Sequence, residues 1–228
     1  MSPVESLREH YLSVKPVLRG WLHVVAAPIA GTAAVLLAIL APSDLRIPVV
    51  LFALTTILLF SVSAVYHRGR FSPRVTGMLQ RWDHANIFLV IAGSATPFAV
   101  AMLGPGPARS LLAVLWLGAV GGAAIRVLWI RAPRWLFVPM YLALGWASAM
   151  FLPGFLRSDS LSDARHAWVL GLILFGGILY TVGAGVFAIK WPNPSPKWFG
   201  FHEVFHSFTL GGWASHFVAA TLVVTAVR

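Results

Sequence analysis

Seven long apolar stretches leave few folds open to this chain. They lie at about 21–41, 48–66, 84–103, 110–130, 135–153, 167–189 and 203–227, and each is close to the roughly 20 residues that carry a helix across a hydrocarbon core of about 30 Å. Helices are the expected form, because a helix satisfies its own backbone hydrogen bonds in lipid. The alternation over about 10 residues that marks a membrane barrel is missing. Only 11% of the 228 residues are charged and 58% are hydrophobic, whereas a soluble domain carries about 25% charged residues. These figures exclude a soluble globule and a disordered chain. The stretches leave no room for a separate soluble domain, so residues 1–228 read as one membrane domain. The connections are short and rich in turn residues, as in Gly104-Pro105-Gly106-Pro107 and Trp191-Pro192-Asn193-Pro194-Ser195-Pro196. The first stretch is too long for a cleavable signal, and further spans follow it directly.

The fold class expected is therefore all-α, a seven-helix membrane bundle. Its orientation follows from the basic residues. The chain carries 17 Lys and Arg against 7 Asp and Glu, a net charge of +10. On a soluble protein such a balance suggests nucleic acid as partner. Here the basic residues are scattered over short loops, so nucleic-acid binding is a poor explanation. Arg8, Lys15, Arg19, Arg68, Arg70, Arg74, Arg81, Arg126, Arg131, Arg134, Lys190 and Lys197 fall on one side of the bundle. Arg46, Arg109, Arg157, Arg165 and Arg228 fall on the other. Cytoplasmic loops collect Lys and Arg, which places the N-terminus in the cytoplasm and the C-terminus outside. Arg126 lies a turn inside the fourth stretch, where it is expected to snorkel towards the cytoplasmic interface. Gly177, Thr181 and Gly185 form a small-residue face expected to pack closely on a neighbouring helix. Trp21, Trp82, Trp135 and Trp198 near the span ends read as an interfacial belt.

Ionisable residues inside spans are costly and are functional candidates by default. Ser63 and His67, four apart, close the second stretch; Asp83 and His84 open the third; His202, Glu203 and His206 open the seventh, with His216 deeper in it. The orientation, drawn from Lys and Arg alone, brings His67, Asp83, His202 and His206 to one level near the inner face. Three imidazoles and a carboxylate suit a divalent cation. Zinc is the natural choice, held by three His with a fourth position open for water. His202 and His206 at i, i+4 supply two ligands from one helix turn. With no cysteine present, ligands are limited to nitrogen and oxygen. Simpler roles compete. Asp83 also reads as a helix cap or a partner of Arg81, and Ser63 as a hydroxyl bonded back to its own helix. His10 and His166 read as interfacial or hydrogen-bonding residues, and His23 and His84 lean the same way. His202 to His206 matches H-E-x-x-H, where the Glu of metalloproteases acts as base. The extended motif fails, with Thr209 and Gly212 where Gly and His are needed. Glu203 sits about 100° round the helix from His202 and is a candidate only for the shell behind the ligands.

In these blocks the chain resembles the hemolysin III family, bacterial members of the progestin and adipoQ receptor family that includes the adiponectin receptors. The matching blocks are Ser63-Ala64-Val65-Tyr66-His67, Arg81-Trp82-Asp83-His84-Ala85-Asn86-Ile87-Phe88, Ile91-Ala92-Gly93-Ser94-Ala95-Thr96-Pro97-Phe98 and His202-Glu203-Val204-Phe205-His206. His23 and His216 also stand where the family tends to carry His. The resemblance implies a multi-pass protein of the bacterial inner membrane, with zinc held by His67, His202 and His206. It further implies that Asp83 and Ser63, as catalytic candidates, orient or bond a zinc-bound water, with Glu203, His84 and His216 as candidates behind the ligands. Glu203 departs from the neutral residue of related receptors. The family's link to membrane hydrolases, some resembling ceramidases, implies hydrolysis of a lipid amide or ester. The label hemolysin implies cytolysis. Two functions of different classes follow. One is a zinc-dependent hydrolase with a lipid substrate. The other is a non-enzymatic, receptor-like or hemolysin-like protein in which zinc clamps helices. An intramembrane protease, resting on H-E-x-x-H alone, ranks last.

Overall fold

The computed structural model describes residues 15–129 and 133–226. Arg8, His10, Arg131 and Arg228 lie outside the described residues. Among the described residues, seven helices are long and apolar enough to cross a membrane: α1 (Trp21–Leu40), α2 (Ser43–Arg68), α3 (Pro73–Met102), α4 (Pro105–Leu128), α5 (Arg134–Leu156), α6 (Asp163–Ile189) and α7 (Phe201–Ala226). No β-strand occurs among the described residues; one isolated bridge joins Ser195 and Phe199. The protein is a helical membrane bundle.

Prolines and glycines set the helix ends. Pro73 and Pro105 stand in the first turn of α3 and α4, where a missing N–H is harmless. Lys190, in the left-handed conformation, stops α6, and the proline-rich loop after it keeps the helix from resuming. Helix α3 begins about ten residues earlier than its apolar run. Asp83 therefore lies well inside α3, which removes the capping role. Helix α5 is interrupted by a 3-10 segment at Trp146–Phe151.

The core runs through α1, α2, α3, α4 and α7, with Phe52, Phe60, Phe88, Leu111, Leu115 and Val223 fully buried. Polar side chains stitch the seams, as is usual where lipid offers no hydrophobic gain. Asn86 Nδ2 donates to the Leu58 carbonyl at 3.1 Å, Trp213 Nε1 to Thr56 Oγ1 at 2.9 Å, Trp116 Nε1 to Thr96 Oγ1 at 3.1 Å and Ser215 Oγ to the Leu172 carbonyl at 2.8 Å.

Two further expectations need correction. The close face of α6 is one position away from Gly177 and Gly185. A Cβ on Gly185 would meet nothing within 4 Å, and on Gly177 only the Trp146 ring at 3.9 Å. A Cβ on Gly176 would instead lie 2.5 Å from the His216 ring, and one on Gly183 2.8 Å from Phe208. Gly176 and Gly183, seven apart, return to the same face after two turns and form the seam with α7. Arg126 does not snorkel outward. Its side chain is buried and turned inward, within 2.8 Å of His84 Nδ1 and 4.5 Å over the Phe137 ring. A stacked, hydrogen-bonded guanidinium tolerates such a setting better than an ammonium would.

Candidate metal centre

The end of α2, the first half of α3 and the first turns of α7 meet at one end of the bundle. His67, His202 and His206 converge there, with ligand nitrogens within 4.8 Å of one another. The Nε2 atoms of His67 and His202 face each other at 3.2 Å. Tetrahedral ligands at about 2.0–2.1 Å from zinc would lie about 3.4 Å apart, so two helices already hold these nitrogens near the required spacing. His206 Nε2 is buried and has no hydrogen-bond partner among the described residues. Such a nitrogen is costly unless something binds it. Asp83 comes in from α3, with Oδ2 3.8 Å from His67 Nε2; among the described residues it approaches His67 rather than pairing with Arg81. Nitrogen ligands from three His beside a carboxylate form the donor set of a zinc or similar cation site.

Ser63 lies one turn before His67. Its hydroxyl is buried, near enough to Asp83 to act on the carboxylate, yet without a hydrogen bond of ordinary geometry among the described residues. The other candidates lie outside the three-histidine group. His84 bonds Arg126 and, through its carbonyl, accepts from the Tyr141 hydroxyl at 3.1 Å. His216 Nε2 lies 3.2 Å from the Ile173 carbonyl, and His166 Nε2 lies 2.8 Å from the Phe155 carbonyl.

Glu203 is 1% exposed and fully engaged. One oxygen takes the Arg19 guanidinium; the other accepts from the Gly200 N–H at 2.9 Å. The second contact is half of a capping box, with the third residue of α7 reaching back to the residue before the helix. Asn193 Oδ1 accepts the next N–H, of Phe201, at 2.9 Å. The turn that presents His202 and His206 is thus fixed at its start.

Sequence reasoning gave too little weight to the segment before α1. Gly20 has φ 82°, and a Cβ there would lie 2.5 Å from His67 Cβ. Only glycine fits that left-handed, close approach. Lys15 Nζ donates to the His67 carbonyl at 3.1 Å, and the Val17 N–H donates to the Lys197 carbonyl at 2.8 Å. His23, on the first turn of α1, meets His206 directly: His206 Nδ1 and His23 Nε2 are 2.7 Å apart. The available signal was weak: His23 stood near a span end, and Arg19 lies before α1, beyond the left-handed Gly20, where helical spacing does not apply.

The centre opens on a cavity of about 1070 Å³. It extends from Lys15 and Arg19 past Asp83 and the three histidines, then along apolar walls to Tyr180, His216 and Phe155.

A model of haemolysin-III related proteins matches residues 11–217. The chain belongs to the haemolysin-III related family. It is 30% identical over 167 residues to a hemolysin-3 homolog of Bacillus subtilis (strain 168), covering 73% of this chain and 72% of that protein. It is also 29% identical over 173 residues to hemolysin-3 of Bacillus cereus, covering 76% and 73%. The family match spans α1 to α6 and runs into α7 as far as residue 217. His67, Asp83, His202 and His206 all fall within it. In this haemolysin-III related chain, the buried group of His67, His202 and His206 could hold a metal ion.

Proposed function

We propose that this haemolysin-III related protein is a zinc-dependent membrane hydrolase of a lipid amide or ester. The observation that carries the proposal is a carboxylate, Asp83, beside three convergent histidines on the wall of a largely apolar cavity. A bound zinc ion would lower the pKa of water to about 7 and polarise a carbonyl. His67, His202 and His206 would hold it. Asp83 orients the attacking water and takes its proton at Oδ2. As water's oxygen joins the carbonyl carbon and the C–N or C–O bond breaks, Asp83 returns that proton to the leaving amine or alkoxide. The products are a carboxylic acid and an amine or alcohol. Ser63 Oγ, one turn from His67, steadies the Asp83 carboxylate. The apolar length of the cavity shelters an acyl chain and keeps bulk water away. The Lys and Arg distribution supports placing this end at the cytoplasmic leaflet of the bacterial inner membrane, where a lipid can enter from the side.

The 3.2 Å approach of His67 to His202, across α2 and α7, favours a second reading: a structural metal in a non-enzymatic protein that acts on membranes, in keeping with the name hemolysin-3 carried by its relatives. Purified protein separates the two. Hydrolysis requires stoichiometric zinc and turnover of some member of a lipid amide and ester panel. Asp83→Ala is expected to keep its metal and lose about 10²–10⁴-fold in turnover. Stoichiometric zinc without turnover of any lipid would sink the hydrolase and leave the structural reading.

A further inference from the structure

The ring of His23 stands against the ring of His206 in an edge-on arrangement, with centroids 3.9 Å apart and an interplanar angle of 83°. His23 is 2% exposed. Its other side packs edge-on against Phe60 at 5.0 Å, and Phe60 against Trp213 at 5.6 Å. The Trp213 indole N–H is in turn tied to Thr56. A run of rings from α1, α2 and α7 therefore fixes His23 in place. In the turn just before α1, Arg19 holds Glu203, so the helix turn carrying His202 and His206 is gripped at two points, by α1 and by the segment leading into it.

Imidazole chemistry gives this contact a consequence. A neutral His binds metal through one nitrogen and carries its proton on the other. With the proton on Nε2, His206 would point an N–H at His67 and His202 and could not be a ligand. With the proton on Nδ1, it donates to His23 Nε2 and leaves the Nε2 lone pair facing the other two imidazoles. Ligating histidines generally need such an acceptor behind them, and its loss costs about 10–100-fold in metal affinity. We propose that His23 is a positioning residue of the metal centre, accepting the Nδ1–H of His206 and so fixing the tautomer and ring orientation that make His206 a ligand. The role rests on the metal reading of His67, His202 and His206. It draws on α1, which supplies none of the three ligands.

The test uses the full chain in detergent, stripped with a chelator and titrated with Zn²⁺ against a competing chelator. His23→Phe keeps a ring and removes both nitrogens. It is expected to bind zinc about 10–100-fold more weakly and to change the visible absorption of the Co²⁺-substituted protein. His23→Gln offers an amide oxygen to the same N–H and is expected to recover most of the affinity. An unchanged affinity and cobalt spectrum in His23→Phe would overturn the proposal. Should that variant fail to fold, zinc-loaded wild type labelled with ¹⁵N-histidine decides. A coupling across the hydrogen bond between His206 Nδ1 and His23 Nε2 is expected, and its absence with His206 metal-bound contradicts the role. A wild type that takes up no zinc would end the metal reading, and the role of His23 with it.

Discussion

Of the most apolar window of α3, 67% is buried inside the protein; of that of α6, 17% is. Helix α3 packs between α2 and α4 and carries Asp83. Helix α6 has one close seam, with α7, while its contact with α5 is sparse. The three histidines that could hold a metal come from α2 and α7, with Asp83 beside them on α3, all on the well-packed side and braced by α1. The α5–α6 side supplies wall to the cavity and surface to lipid. Rigid backing suits ligands, which need accuracy of about half an ångström. A thinly packed wall suits passage of a lipid chain.

If the packed side is the metal side, damage there should be severe, and damage opposite mild. The largest effect is expected from His202→Ala. Metal content measured on purified protein should fall from about one ion per chain to near none, because two imidazoles alone hold zinc weakly. Next comes Arg19→Ala, which strands the buried carboxylate of Glu203. Breaking a buried pair costs about 3–5 kcal/mol, and the partly exposed position of Arg19 puts the expected loss at the lower end. Thermal unfolding in detergent measures it. Glu203→Gln keeps the acceptor for the Gly200 N–H and should lower stability less, with no effect on turnover beyond that of unfolding. A specific collapse of turnover in Glu203→Gln would instead revive the metalloprotease-like base. At the α2–α3 seam, a Cβ on Gly93 would stand 2.1 Å from Thr55 Oγ1 and 3.0 Å from its Cβ. Thr55 is stiff and hydrogen-bonded to its own helix, so Gly93→Ala is expected to cost about 1–3 kcal/mol by overpacking. Smallest is Gly185→Ala on α6, where a Cβ meets nothing within 4 Å. Its effect should stay within about 0.5 kcal/mol. Equal losses at Gly93 and Gly185 would erase the contrast between the two sides.

The helices were legible because the need for about 20 apolar residues writes itself into sequence. The histidine trio was legible for a different reason. Ser63 to His67 and His202 to His206 each fix a face, and the Lys and Arg count put those faces at one end. Helix ends outside the apolar runs were not legible: residues 73–83 are polar enough to read as loop, so Asp83 read as a cap. The close face of α6 was misread because small residues occupy two adjacent faces, Gly176 with Gly183 and Gly177 with Gly185. Only the position of His216 and Phe208 on α7 decides between them. Arg126, His84 and Phe137 come from three helices, and Arg19 with Glu203 from the two ends of the chain. Pairings between segments so distant in sequence leave no local spacing to read. His23 was visible as a histidine at a span end, but its partner became visible only once α1 lay beside α7.

The central claim is that His67, His202 and His206 hold a metal with one position left for chemistry. X-ray absorption at the zinc edge of the zinc-loaded protein tests it most directly. Three imidazole nitrogens and one light oxygen ligand, exchangeable with added small anions, are predicted, with the imidazole signal reduced in His202→Ala. A closed shell of protein ligands, or a spectrum indifferent to His202, would contradict it.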